Sequence, residues 1–303
     1  NWAASVKDKT DGELEIKPFG AKDVVGDFQL FDAVKNGVLE AMNPFTLYWA
    51  GRMPASVFFS SYPLGLRNPH EWDVFYYGLG GLEIARELFA KFNMYYIGPI
   101  HHGPNIIHSK VPIRSIDDFR GRKMRLPGGM VAEVFQAAGA KTTLLPGSEI
   151  FAALEKGTID AAEWCCPKPD SVFGFQKVLK HYYLQGLHQV VVNADLYING
   201  DVYDGLTDLE KKALEVAANA SLSKAMSYRI YENGKALKDL TENHGVILHD
   251  TPEDYFSEYM TAAKAALETN AAENEFFAEV WQSQKDFAEI AVPFWAGAQS
   301  SNA

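Results

Sequence analysis

An acid and an indole stand side by side at Glu163 and Trp164, followed by Cys165, Cys166 and Pro167. The residues before them, Thr158 to Ala162, suit a short buried strand, which puts the acid at the strand's carboxyl end. A second chemically loaded strand end lies upstream. Residues 115–129 read as a helical turn capped by Ser115 and then a short strand that carries Arg125 to its end. In open α/β sheets, ligands sit beyond the carboxyl ends of strands, where loops and helix N-termini converge. A guanidinium there can take a carboxylate through two parallel charge-assisted hydrogen bonds, worth about 1.5–3 kcal/mol each. An ionised glutamate beside the same anion is repulsive. It requires a cation between them, an ammonium on the solute, or a hydroxyl to bond. Taken alone, Arg125 also fits a solvated surface cation, because Arg120, Arg122 and Lys123 share its stretch.

Other chemistry is less well supported. His101 and His102, with Asn105 close behind, invite a transition-metal reading, but adjacent histidines on a strand point to opposite faces. One of them can still line a cleft. Residues 78–81 (GLGG) resemble half a dinucleotide fingerprint. The residues before them look helical rather than strand-like, and Glu83 occupies the third glycine position, so a helix break with close packing is the better reading. An enzyme would need Cys165 or Cys166 as nucleophile and His188 as base, and no glycine-rich phosphate loop or metal triad accompanies them. Adjacent cysteines rarely make a relaxed disulfide, so the two leave the redox compartment undecided.

The elements that must position these residues include one α/β unit used twice. Residues 31–41 (FDAVKNGVLEA) and 151–161 (FAALEKGTIDA) share Phe, Ala, Gly and Ala in register. Each reads as a short amphipathic helix, a glycine at the left-handed cap position, and a buried strand. Residues 12–19 alternate at period two and predict a strand. Helical pattern covers residues 69–92 and 130–138, with a strand at 142–145 and Ser148 expected to cap the repeat helix. Strands separated by helices predict a mostly parallel sheet in each lobe. After the capping box at Thr207 and Glu210, helical pattern runs to about His244, long enough to bridge two lobes. Pro252 begins a further helix, and an aromatic-rich one with Phe276, Phe277, Trp281 and Phe287 packed into the core is expected to end at Pro293.

The chain has 303 residues, more than one hydrophobic core usually organises, and its net charge of -11 opposes binding to nucleic acid or anionic membranes. No run approaches a membrane span, and the first residues lack the features of a signal peptide, so the chain is either cytosolic or has had a leader removed.

Residues 117–129 (DDFRGRKMRLPGG), residues 146–164 (PGSEIFAALEKGTIDAAEW) and the long helix after Thr207 together resemble the solute-binding proteins of tripartite ATP-independent periplasmic (TRAP) transporters of the DctP type. Residues 51–59 (GRMPASVFF) look like that family's first-lobe loop, and the resemblance runs from residue 1 to about 295. The Glu-Trp ending is similar to the branch that binds 2-oxo acids and related monocarboxylates, often with a cation. The resemblance implies a two-lobe α/β fold of the type II periplasmic binding protein kind. Its expected lobes are residues 1–108 with 203–245, and residues 109–202, with helices in 246–303 packed on both.

The resemblance also implies a set of site residues. Arg125 would hold the solute carboxylate, and Tyr48 would reach the solute from the first lobe. Glu163 would ligate a metal, with the Trp164 carbonyl beside it. Gln189 stands where the branch has a second acid. It keeps an oxygen but removes a charge, which favours sodium or no cation over calcium. The branch also offers a glutamine ligand where this chain has residues 142–144, with no counterpart there. Asn193 on the returning crossover, His102 and Asn105 are further candidates for solute contact. Gly147, Trp164, Tyr48 and Phe59 hint at a bulky or aromatic solute side chain. Family members open with a strand at the centre of the first sheet, ahead of the helix of residues 2–9, and this sequence contains no such segment. The resemblance thus implies an extracytoplasmic binder of a small monocarboxylate, a 2-oxo acid first and an amino acid second, that closes on its solute, catalyses nothing, requires no cofactor and delivers to a membrane permease.

Overall fold

The computed structural model describes residues 2–299; Asn1 and residues 300–303, which the expected first and last segments include, lie outside them. Its strands are β1 (Ala41–Met42), β2 (Met94–Gly98), β3 (His101–His102), β4 (Ile107–Ser109), β5 (Lys123–Arg125), β6 (Lys141–Thr143), β7 (Ala161–Glu163), β8 (His181–Tyr183), β9 (Val192–Asn193), β10 (Leu196–Asn199) and β11 (Ile247–His249). They form a three-stranded sheet in the order β1-β10-β2 and a six-stranded sheet in the order β11-β8-β4-β7-β5-β6. The two-stranded ladder β3-β9 forms where the chain crosses between them. The expected two-lobe α/β architecture is therefore present.

Sheet membership differs from the expected lobe limits. Strand β10 lies in the first sheet although it falls within residues 109–202, and β11 joins the second sheet. The reason is topological. After the second lobe the chain returns through β9 and inserts β10 between β1 and β2, antiparallel to both, so the two outer strands run in the same direction. In the second sheet β5 lies parallel to both β6 and β7, and β4 runs antiparallel to β7 and β8.

The repeated unit is real. Helices Leu30–Lys35 and Gly147–Glu155 each end at a glycine with positive φ, Gly37 at 73° and Gly157 at 71°, and lead to β1 and β7. The second of these helices starts one residue before Ser148, and no side chain caps it. Ser115 precedes the 3-10 turn Ile116–Phe119, likewise without a side-chain cap.

Residues 12–19 do not form the expected strand. A strand needs a partner. Here Leu14 and Ile16 share with Ala41 and Met42 the lining of a cavity of about 1100 Å³, and β1 pairs only with β10. The break expected after residue 78 separates helices Pro69–Gly78 and Gly81–Ala90. Gly80 takes φ 80°, and a Cβ on Gly81 would sit 2.7 Å from the carbonyl oxygen of Phe75.

The helix Asp208–Asn243 begins with the Thr207–Glu210 capping box and spans 36 residues, about 54 Å at 1.5 Å per residue. Its first half buries Ala217 and Ala218 against Ile97 and Leu196 of the first lobe. Near its end, Leu240 packs with Ile150 and Tyr182 of the second. Helix Glu253–Glu273, entered through Pro252, does likewise: Tyr259 lies in the second-lobe core and Leu267 in the first. Phe277 and Phe287 are buried as expected, whereas Phe276 and Trp281 are only partly covered. Pro293 does not end the last helix, which continues to Gln299. The proline removes one backbone hydrogen bond, but Ile290 and Phe294 beside it are exposed, so water can satisfy the freed carbonyl.

Candidate functional site

Parallel pairing of β5 with β7 sets Arg125 opposite Ala162, so its guanidinium and Glu163 meet at neighbouring strand ends. Arg125 is 1% exposed, among the largest fully buried side chains of the molecule. Its Nη1 donates to the Glu163 carboxylate at 2.6 Å and to the Glu163 carbonyl at 2.8 Å. Nε donates to the Leu145 carbonyl at 3.1 Å, and Nη2 to the Tyr48 hydroxyl at 3.0 Å. Tyr48 belongs to the 3-10 turn Thr46–Trp49 of the first lobe, so one guanidinium joins both lobes. The face of Trp164 covers it at 5.1 Å.

The other Glu163 oxygen accepts from Asn105 Nδ2 at 2.5 Å, and the same nitrogen donates to Gln189 Oε1 at 3.2 Å. The Asn105 N–H also bonds the Gln189 carbonyl. Gln189 is fully buried, and its Nε2 has no hydrogen-bond partner. Burial pushes the Glu163 carboxyl up to about 7 against the opposing pull of Arg125. For Arg125, burial works to lower the pKa, but the oxygens of Tyr48 and Glu163 outweigh it and hold the group above its ordinary value. Burial also raises the Tyr48 phenol.

Six expected residues thus converge: Arg125, Glu163, Trp164, Gln189, Tyr48 and Asn105. Two do not. Asn193 bonds His101 Nδ1 through its Oδ1 at 2.6 Å, and its Nδ2 faces the Phe59 carbonyl at 3.3 Å. Both ends of that amide serve the crossover, and no hydrogen bond joins it to Arg125. His102 points to the opposite face from His101, as its strand position requires, and packs edge-on against Phe45 at 5.0 Å. Burial holds its pKa well below the ordinary 6.5. His188 is buried against Phe135, pushed down to about 3 by burial, and its ring nitrogens have no hydrogen-bond partner, so no Cys–His pair forms. Gly147 makes room for the indole itself: a Cβ there would lie 2.4 Å from the Trp164 ring.

The Leu145 carbonyl, which fixes Arg125, left no trace in the sequence because every residue type carries that group. Asp195 did leave one, as a lone charge in the apolar run 191–198. It is fully buried beneath the crossover, where it accepts from Thr46 Oγ1 at 2.6 Å and Tyr96 OH at 2.8 Å.

The family model of bacterial extracellular solute-binding proteins, family 7, matches residues 1–274. The chain belongs to the DctP family of TRAP solute-binding proteins. It is 31% identical over 291 residues, 94% of this chain and 78% of the relative, to a monocarboxylate 2-oxoacid-binding periplasmic protein of a Nostoc species. A TRAP solute-binding protein from Pseudoalteromonas atlantica, solved with bound sodium and pyruvate, superposes with a TM-score of 0.94 at 29% identity, covering 99% of this chain and 91% of that one. Another, from Bordetella bronchiseptica, solved with copurified calcium and picolinate, gives 0.91 at 27% identity, covering 99% and 89%. DctP proteins serve transport and are not enzymes, and they are periplasmic. Among the described residues no helix is long and apolar enough to cross a membrane.

Proposed function

We propose that this DctP protein carries a small 2-oxo monocarboxylate in the periplasm to a TRAP permease, with Arg125 on the solute carboxylate. The observation that carries the reading is the buried guanidinium held by Glu163, Tyr48 and the Leu145 carbonyl. Its donors already have carboxylate, carbonyl and phenol oxygens to exchange for those of a solute.

Charge balance supplies the mechanism. Arg125 and an ionised Glu163 cancel, so an arriving carboxylate leaves one uncompensated negative charge in a buried site, a costly arrangement. A proton on Glu163 or a cation removes it. The oxygens of Glu163 and Gln189 both face the Asn105 amide nitrogen. Half a turn of that amide replaces the nitrogen by oxygen. Glu163, Gln189 and Asn105 then offer three oxygens with one formal charge, a set that suits sodium better than calcium. The Trp164 carbonyl follows directly on, and its indole covers the guanidinium, leaving the ring to stack on the remainder of the solute. Relatives solved with sodium and pyruvate and with calcium and picolinate support this reading. Closure of the two lobes on the solute then presents a surface that a permease can distinguish from the open form.

The test is thermal stabilisation across 2-oxo, 2-hydroxy and 2-amino acids, with and without sodium. A 2-oxo acid at a hundredfold excess over its dissociation constant should stabilise the fold by about 2.7 kcal/mol. No response from any 2-oxo acid contradicts the proposal, and a response to amino acids alone reassigns Glu163 to an ammonium.

A further inference from the structure

Cys165 and Cys166 are the only cysteines of the sequence, and the solute-binding reading uses neither. They form the elbow between β7 and the helix Pro167–Phe173, directly after Glu163 and Trp164. Both are buried free thiols, yet their Sγ atoms lie 3.0 Å apart. From there an S–S bond of about 2.05 Å needs roughly 1 Å of approach.

The elbow is tied to the cleft on several sides. The Cys165 carbonyl accepts from the Ile106 N–H at 2.8 Å, next to the Asn105 that bridges Glu163 and Gln189. The Cys166 carbonyl accepts from the Asp170 N–H at 3.1 Å, in the first turn of the following helix. Cys165 also lies within electrostatic reach of Asp170 of the second lobe, Arg229 of the long helix and Tyr48 of the first lobe. Arg229 in turn donates to the His101 carbonyl at 2.7 Å on the crossover. The thiol pair therefore stands where both lobes and the crossover meet.

We propose that Cys165 and Cys166 form a reversible vicinal disulfide whose redox state sets how tightly the cleft holds its solute. The oxidant is an external disulfide, either small, such as oxidised glutathione, or a protein oxidase. One cysteine thiolate attacks it, giving a mixed disulfide and releasing one thiol. The neighbouring thiolate then displaces the second thiol and closes the ring. Two cysteine protons pass to the two leaving thiolates, and the oxidant takes up two electrons. The family's periplasmic setting favours oxidation. Reversal is favoured too, because adjacent Cα atoms, about 3.8 Å apart, are closer than disulfides prefer, and strained disulfides are more easily reduced. The ring stiffens the peptide immediately after Trp164 and removes both thiol hydrogens from the elbow. Bound solute and oxidation thus act on the same elbow.

The second half of this inference rests on the solute reading, and the first does not, so the test separates them. The intact protein is equilibrated with oxidised glutathione, denatured, and treated with iodoacetamide. The expected result is a chain lighter by two hydrogen atoms with no alkyl adduct, and two adducts after prior treatment with dithiothreitol. Two adducts without reduction, a stable glutathione adduct, or a disulfide-linked dimer overturns the disulfide. Pyruvate with sodium is then titrated into both forms. The expected difference is about fivefold or more, the lower end of common coupling between two events in one protein. It should vanish in Cys165→Ser. Equal affinities overturn the coupling. Where pyruvate binds neither form, the coupling is judged with the 2-oxo acid that stabilises the reduced protein most. Absence of binding by every 2-oxo acid counts against the solute reading, while the thiol count still decides the disulfide.

Discussion

Two of the buried carboxyl groups, Asp195 and Glu163, are held in opposite ways. Asp195 of the first lobe accepts from the hydroxyls of Thr46 and Tyr96. Burial raises its pKa well above the ordinary value, and those two hydroxyls only partly offset the effect. Its backbone is fixed as well, with the N–H on the Pro44 carbonyl and the carbonyl accepting from Asn43. Glu163 of the second lobe is held by a guanidinium and an amide, both of which can change partners when an anion and a cation arrive. The repeated unit shows the same contrast. After β1 the chain turns into the Asn43 clamp on the crossover, whereas after β7 it delivers an acid, an indole and two thiols to the cleft. A carboxyl held by hydroxyls that have no other role makes a joint. One held by a guanidinium and an amide that can exchange partners makes a site.

The largest effect that can break this comparison is expected from Arg125→Ala. It removes the donors for the solute and leaves Glu163 buried without its partner, so calorimetry should show no measurable 2-oxo acid binding. Thermal unfolding should show a loss of about 3–5 kcal/mol, typical when one partner of a buried ion pair is removed. Intact binding would mean that the carboxylate sits elsewhere. Asp195→Ala should do the reverse. Two buried hydroxyls lose their acceptor, at a cost of about 2–4 kcal/mol in unfolding measurements, while pyruvate affinity of the folded protein changes by less than about twofold. A large affinity loss there would make the joint part of the site.

Gly147→Ala should have the smallest effect. The new Cβ pushes the partly buried Trp164 indole from its place over Arg125, at about 1 kcal/mol. Pyruvate titration should show the dissociation constant rising about fivefold, and unchanged affinity would remove the indole from the solute contacts.

How much of this was legible beforehand follows from which groups carry type-specific signals. Arg125, Glu163 and Trp164 occupy strand ends that hydrophobic pattern and a left-handed glycine could locate, and the capping box fixed the start of the long helix. The ion pair between Arg125 and Glu163 was not legible, because it depends on the parallel register of β5 and β7, which no local pattern encodes. The partners of Asn193 were not legible for a similar reason: its amide faces His101 and Phe59, 92 and 134 positions away. Residues 12–19 alternate as a strand should, but alternation supplies a face and not a neighbour, and no strand pairs with them.

Glu163 also links the site to pH. Its carboxyl is raised from 4.5 to about 7 in the fold. Its contribution to stability without solute is therefore fully present below the lower value and is lost as pH rises through the upper one. By the same linkage, a carboxylate solute binds without help while Glu163 is protonated and needs a cation once it is not. The direct test is calorimetric titration of pyruvate at pH 8 into the wild-type and Glu163→Gln proteins, with sodium and with sodium replaced by choline plus chelator. Sodium should strengthen binding to the wild type about tenfold or more and should make no difference to Glu163→Gln. An equal sodium response in both proteins, or none in the wild type, would contradict the account.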